Sequence, residues 1–222
     1  MPEIYETKER VTADNEKAAE ETREQLRDKK VFFVNLMASP GAGKTTLLKR
    51  TIEALKDTYR IGVMEADVDS MVDAAEIEKM GVRVIQLHSG GLCHMDADMT
   101  RRGLEKLQLD GLDLVFLENI GNLVCPAEFD VGAQMKVMIL SVPEGHDKPL
   151  KYPLMFQVSD VVLVNKIDTL PVFDFDKEAF ERNVRTRNEK APVIYLSAGK
   201  GENITEWTSW LQEKIEQWRK NV

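Results

Sequence analysis

The segment from Val31 to Thr46 constrains this chain more than any other. An apolar run from Val31 to Met37 leads without a break into Ala38-Ser39-Pro40-Gly41-Ala42-Gly43-Lys44-Thr45-Thr46, and an amphipathic stretch continues to Tyr59. Strand, glycine-rich turn and helix in that order make the phosphate-loop pattern, except that Ala38 stands where the pattern opens with glycine. Gly41 and Gly43 allow backbone angles that turn successive N–H groups inward, and the helix that follows adds its positive end to the same anion site. Gly41, Ala42, Gly43, Lys44, Thr45 and Thr46 are therefore the candidate phosphate-binding residues. Lys44 would reach the β- and γ-phosphates, and the Thr45 hydroxyl is a hard oxygen ligand for magnesium. The bland alternative is a Gly-Pro turn between a strand and a helix, and the register of all three parts weighs against it.

The rest of the chain repeats the alternation of β-rich and amphipathic runs that predicts a mostly parallel sheet. Strands are expected at Val31–Met37, Arg60–Glu65, Val82–Leu87, Leu112–Leu117, Lys136–Val142, Val161–Asn165 and Val193–Leu196. Helices are expected around Thr45–Tyr59, Val72–Met80, Asp96–Leu107, Pro149–Ser159, Lys177–Glu189 and Thr205–Lys220. The fold class is α/β: a single P-loop NTPase domain with a mostly parallel sheet of about seven strands flanked by helices. With 222 residues, 43% of them hydrophobic, the chain can bury one good core. Residues 31–222 form that domain in this reading, and residues 1–30 a charged helix packed on it. Its apolar stripe (Ile4, Val11, Ala18, Leu26) is thin enough that a frayed, solvated helix is an equal alternative. A net charge of -8 with no basic block argues against nucleic-acid partners. No apolar run approaches a membrane span and the N-terminus lacks a signal-peptide core, so the default location is the cytoplasm.

Ligands of such sheets collect beyond the carboxyl ends of the strands, where two acidic segments fall. Glu118, closing Leu114-Val115-Phe116-Leu117, is the natural magnesium carboxylate, and Gly121 behind it can bring its backbone to a γ-phosphate. Asp67, in Glu65-Ala66-Asp67, would sit in a first switch segment, ligating magnesium or orienting the attacking water; a helix cap is the alternative. Lys44, Asp67 and Glu118 are the candidate catalytic residues. Asn165-Lys166-Ile167-Asp168 then selects the base. The Asp168 carboxylate accepts from guanine N1–H and the 2-amino group, donors that adenine does not offer, so a buried charge would be left unpaired by the wrong base. Asn165 can bond the base edge and the loop behind it, the Lys166 stem can lie along the ring, and a backbone N–H of Ser197-Ala198-Gly199 can meet the guanine carbonyl. These motifs in this order point to a GTPase using GTP, GDP and magnesium.

Cys93 and His94 follow the third expected strand, and Cys125 lies four residues past Gly121. Thiolate and imidazole suit zinc, nickel or copper rather than magnesium. Three such residues leave a tetrahedral ion one ligand short, and adjacent Cys93 and His94 do not easily turn to one ion. A site shared by two chains across a two-fold axis would satisfy the count. Spacing alone leaves this level with the plain reading of two small buried residues and a polar cap. His88 reads as a packed or capping residue and His146 as part of a turn-rich loop. Lys148 is a candidate partner for phosphate or a switch carboxylate, or a solvated lysine. Leu170-Pro171-Val172-Phe173 is either a dimer contact or core packing.

Three strings go beyond generic motifs: Gly91-Leu92-Cys93-His94-Met95-Asp96-Ala97, the run from Glu118 to Pro126, and Ser141-Val142-Pro143-Glu144-Gly145 with Asp147 to Pro153. With them the chain resembles the nickel-insertion GTPases of hydrogenase maturation, the HypB family, in the same broad class as the urease accessory GTPases. The resemblance spans about residue 31 to the end. It implies a cytosolic metallochaperone that binds nickel or zinc at Cys93, His94 and Cys125 and forms a homodimer when loaded with GTP. It also implies work with a zinc-containing accessory protein to deliver nickel to the hydrogenase large subunit. Maturation of another nickel enzyme such as urease, or metal storage or sensing with structural GTP, are the competing functions. Some relatives carry a cysteine-rich N-terminal motif or a histidine-rich tract; this sequence has neither, so no high-affinity N-terminal nickel site or nickel store is expected. It also has Ala66 where Glu-Gly-Asp is common in the family. No arginine finger is visible, and turnover is expected to be slow.

Overall fold

The computed structural model describes residues 7–67 and 72–222. The start of the expected N-terminal helix at residue 4 and the switch segment just after Asp67 lie outside them. Among the described residues the chain forms, in order, α1 (Thr7–Asp28), β1 (Phe32–Ala38), α2 (Lys44–Leu55), β2 (Ile61–Asp67), α3 (Val72–Glu78), β3 (Arg83–His88), α4 (Ala97–Leu107), β4 (Leu114–Glu118), α5 (Cys125–Glu128), β5 (Met135–Ser141), α6 (Lys148–Lys151), α7 (Pro153–Val158), β6 (Val161–Asn165), α8 (Lys177–Arg185), β7 (Val193–Tyr195) and α9 (Ile204–Arg219). All six strand pairings are parallel, in the order β3-β2-β4-β1-β5-β6-β7.

β1, β4 and β6 are buried along their whole length, as strands covered by helices on both faces must be. The period of two divides β1 between two layers. Phe32, Val34 and Leu36 pack with residues of α2 and α9, Phe33 joins a cluster with α1 and α4, and Met37 meets side chains from α7 and α8. The β1 edge with β4 and the β2 edge with β4 bring Ala38, Asp67 and Glu118 to the same end of the sheet.

Element boundaries agree with the sequence reading within a few residues, with two differences of substance. The helix expected over Pro149–Ser159 is two short helices, because Tyr152 leaves helical geometry before Pro153, a residue whose ring and missing N–H interrupt the ladder. The four-residue α5 was not expected; it is too short to show a period. In the apolar loop after β6, Leu170 packs against the core, but Val172 is 82% exposed, so core packing does not hold for the whole run. His88 is exposed at the end of β3 rather than packed, and the His146 ring accepts from Asp176 N at 3.2 Å.

α1 is held by a stripe that shares Leu26 with the expected one; Ile4 and the Val11 side chain lie outside the described residues. Ala19, Thr22 and Leu26 are buried, and Asn15 one turn earlier accepts from Ala97 N (2.8 Å) while donating to Asp130 O (2.9 Å). Arg23 pairs with Asp130 at 3.1 Å, and burial of that carboxylate is outweighed by Lys136, Arg23 and the Gly132 amide, which hold Asp130 below its ordinary pKa. Asn15, Thr22 and Arg23 among these contact residues are polar or charged, so a search for apolar periodicity passes over them. Leu26→Ala should destabilise the protein by about 2–5 kcal/mol, the usual cost of emptying a closed apolar site. Urea unfolding measures it; a loss under about 0.5 kcal/mol, the range of surface changes, would mean that α1 is only laid against the domain.

Candidate functional site

The chain leaves β1 at Ala38 and enters α2 at Lys44, and the loop between them is wrapped around one side chain. Asn165, 1% exposed at the end of β6, donates from Nδ2 to Ala42 O (2.9 Å) and accepts at Oδ1 from Lys166 N (2.8 Å) and Ala198 N (3.0 Å). Gly43 sits directly against it with φ of +96°, and a Cβ there would lie 2.5 Å from Asn165 Nδ2. Lys166, itself at φ 61°, donates from Nζ to Gly41 O at 2.7 Å. The phosphate loop and the base-selecting segment are thus one hydrogen-bonded unit.

A cleft of about 580 Å³ opens beside this unit. Its walls include Gly41, Gly43, Lys44, Thr45 and Thr46 from the loop, Glu65 and Asp67 from β2, Glu118 and Gly121 from β4, and Lys166. Thr45 Oγ1 donates to Glu118 Oε1 at 2.7 Å. Glu118 and Glu65 face each other as register partners on adjacent strands, and each is 3% exposed. Two neighbouring buried carboxylates beside a hydroxyl form a hard, anionic oxygen set that a divalent cation such as magnesium offsets. The residues present therefore fit that ion, with Glu65 joining the Thr45, Asp67 and Glu118 read from the sequence.

At the base-selecting end, Asp168 is exposed rather than buried, and its Oδ1 accepts from Ser197 Oγ at 2.6 Å. The Ala198 N–H, expected to meet the guanine carbonyl, donates to Asn165 in this conformation and would have to share or exchange that bond.

The second cluster lies beyond β3 and β4. Cys93 Sγ is 3.0 Å from Cys125 Sγ and 3.9 Å from His94 Nδ1, and the three ligand atoms all lie within 4.8 Å of one another. The expectation that adjacent Cys93 and His94 do not easily turn to one ion is overturned. They stand in a loop tightened by Ser89 Oγ donating to Leu92 O, with Gly90 and Gly91 at positive φ, not on a strand where neighbours point apart. Nor are they small buried residues: Cys93 is exposed, and both thiols are free. Cys93 beside it, with some burial, holds the Cys125 thiol above its ordinary pKa, while the Asn122 amide pulls it down. Burial pushes His94 below the usual imidazole value, against the pull of Asp96 and Glu128. The Phe129 ring stacks on His94 with centroids 3.9 Å apart and planes 18° from parallel. A neutral imidazole keeps a lone pair for a metal, and thiols deprotonate as they bind one.

Two further residues brace the cleft. Glu144 closes a capping box after β5, taking the Ser141 N–H and hydroxyl at 2.7 Å each, and its other oxygen accepts from Ser39 Oγ in the phosphate loop. The Ser-x-x-Glu spacing after a strand signals the box, but not its reach to Ser39. Asn119, fully buried, donates to Asn35 Oδ1 at 3.1 Å and fixes the turn into Gly121. Lys148 lies over the Tyr152 ring, 5.2 Å from its centroid.

Residues 32–195 match the family described as CobW/HypB/UreG, nucleotide-binding domain. The chain is 47% identical to the hydrogenase maturation factor HypB of Azotobacter chroococcum mcd 1 over 206 residues, covering 92% of this chain and 67% of that protein. It is 37% identical to the hydrogenase/urease maturation factor HypB of Helicobacter hepaticus, covering 92% and 86%. The crystal structure of HypB from Helicobacter pylori in complex with nickel superposes with a TM-score of 0.87 at 34% identity, covering 92% of this chain and 96% of that one.

If the Phe129 ring is what shields His94, Phe129→Ala should raise the imidazole pKa toward its ordinary value of about 6.5. An NMR pH titration of His94 reads this directly, and an unmoved midpoint would assign the burial to other groups.

Proposed function

This chain belongs to the CobW/HypB/UreG family of nucleotide-binding proteins, and we propose that within it the chain is a GTP-hydrolysing metallochaperone that delivers nickel during maturation of nickel–iron hydrogenase. The observation that carries this reading is the pairing of two sites on the same strand ends: Glu118 in the cleft and Cys125 in the thiol–imidazole cluster stand seven positions apart on one segment.

In the proposed reaction water attacks the γ-phosphorus, the bond to the bridging oxygen breaks, and GDP, phosphate and a proton are released. The amides of Gly41 to Thr46 and the Lys44 ammonium orient the phosphates and take up charge as that bond breaks. Thr45, Glu118, Glu65 and Asp67 would hold magnesium, which supplies further positive charge to the phosphate oxygens. Asp67, at the end of β2, would also orient the water. Asp168 and Asn165 select guanine. Nickel, the cargo, would be taken by Cys93, His94 and Cys125, and zinc suits the same donors. One chain offers three such ligands, so the GTP-promoted homodimer would complete the coordination. The zinc-containing accessory protein and the hydrogenase large subunit are the partners this cycle requires. Delivery to urease is the second reading, favoured by the hydrogenase/urease name of the Helicobacter hepaticus relative.

The guanine assignment is tested by Asp168→Asn. Xanthine carries a carbonyl where guanine carries its 2-amino group, so an amide donor matches it. GTP affinity should fall at least about 100-fold while XTP affinity rises, since sites built on polar pairing discriminate strongly; equal loss of both would remove Asp168 from the base site.

The delivery cycle is tested by Ni²⁺ and Zn²⁺ titration with GDP and with a non-hydrolysable GTP analogue, alongside molar mass in solution. Affinity and mass that change with the nucleotide, and metal binding lost in Cys93→Ser and Cys125→Ser, are expected. Metal binding that survives both substitutions would place the nickel site elsewhere, and indifference to the nucleotide would leave a GTPase without a metal switch.

A further inference from the structure

A metal site that answers to a nucleotide needs a physical link between the two, and in this fold that link lies beyond the buried strand β4, in the segment from Asn119 to Cys125. Beyond β4, Gly121 lies flat on the phosphate loop, where a Cβ would come within 2.9 Å of Pro40 N. The next residue, Asn122, donates its backbone N–H to Ala38 O at 2.8 Å, which pins it to the last residue of β1. Its side chain turns the other way. Nδ2 donates to Cys93 O (3.3 Å), and Oδ1 accepts from Val124 N (2.8 Å), the amide directly before Cys125.

We infer that Asn122 is the positioning residue through which the phosphate loop sets the geometry of the thiol–imidazole cluster. The inference rests on the nucleotide-coupled metal site proposed above. One backbone bond holds Asn122 to Ala38, where the phosphate loop leaves β1, and the two side-chain bonds hold together the segments that carry Cys93 with His94 and Cys125. A shift of Gly121 and Asn122 relative to Pro40 therefore pulls on both segments at once. The 3.0 Å separation of the sulfurs is set by backbone that this amide bridges. Among the side chains that touch the metal-ligating segments, Asn122 also has its own backbone bonded to the phosphate-loop strand, a combination that Phe129 and Asp96 lack.

The experiment measures the Ni²⁺ dissociation constant of the full chain with GDP and with a non-hydrolysable GTP analogue, in wild type, Asn122→Asp and Asn122→Ala. Asn122→Asp keeps the acceptor for Val124 N and replaces the donor to Cys93 O with a carboxylate oxygen, at nearly constant shape. Asn122→Ala removes both bonds without adding charge. A wild-type ratio between the nucleotide states of roughly 5- to 150-fold, the usual span of coupling between sites, is expected to fall to within about twofold of unity in both variants. If the variants lose affinity equally in both states and keep the wild-type ratio, Asn122 is only a brace and the assignment is overturned. A wild-type ratio of unity would remove the nucleotide-coupled reading itself, and the assignment with it.

Discussion

Asn165 is the point on which the nucleotide site is assembled. Its amide reaches Ala42 in the phosphate loop, Lys166 in its own loop and Ala198 beyond β7, all while 1% exposed. A buried amide that satisfies its donor and its acceptor leaves little freedom to the three loops it joins, because breaking any one bond strands a polar atom away from water. Gly43 is required by the same packing, since any larger residue would meet the Asn165 amide. The Lys166 bond to Gly41 O closes the ring from outside. Phosphate binding and base selection are therefore mechanically one feature, and a change that loosens either loosens both.

The order of the sheet explains the rest of the site. Placing β4 between β1 and β2 puts Glu118 beside the phosphate loop on one side and beside Glu65 on the other. Burying two carboxylates as neighbours is costly without a compensating charge. The Thr45 hydroxyl donates one bond to Glu118, and Lys44 lines the same cleft, so a bound phosphate and cation would offset the remaining cost.

Much of this was legible in the sequence because parallel strands buried on both faces read as unbroken apolar runs, and because loop chemistry at their ends follows fixed spacings. Lys44, Thr45, Glu118, Asn165 and Asp168 all stand where strand, turn and helix place them. The parts that escaped depend on contacts across the chain. Thr22 is buried and Asn15 half-buried in the α1 stripe, polar contacts that apolar periodicity cannot report. α5 has four residues, fewer than the pattern needs. Glu144 to Ser39 spans 105 positions. The convergence of Cys93 and His94 was not expected, because spacing alone does not show that the loop after Gly90 and Gly91 brings both side chains to one side.

The two sites also differ in how firmly they are built, and that difference bears on function. The nucleotide loops are fastened by buried bonds to β1, β4 and β6, strands without an exposed residue. The thiol–imidazole cluster hangs from β3, the edge strand, and from a short helix, with Cys93 exposed and Cys125 and His94 only partly covered. Edge elements with few buried contacts open at lower free energy than the core. A nucleotide that binds one arrangement of the phosphate loop more tightly will therefore spend its differential affinity on the softer cluster rather than on the sheet. A cargo metal must be held and then released, and a ligand set carried on such loops can change its geometry without unfolding the site that drives it.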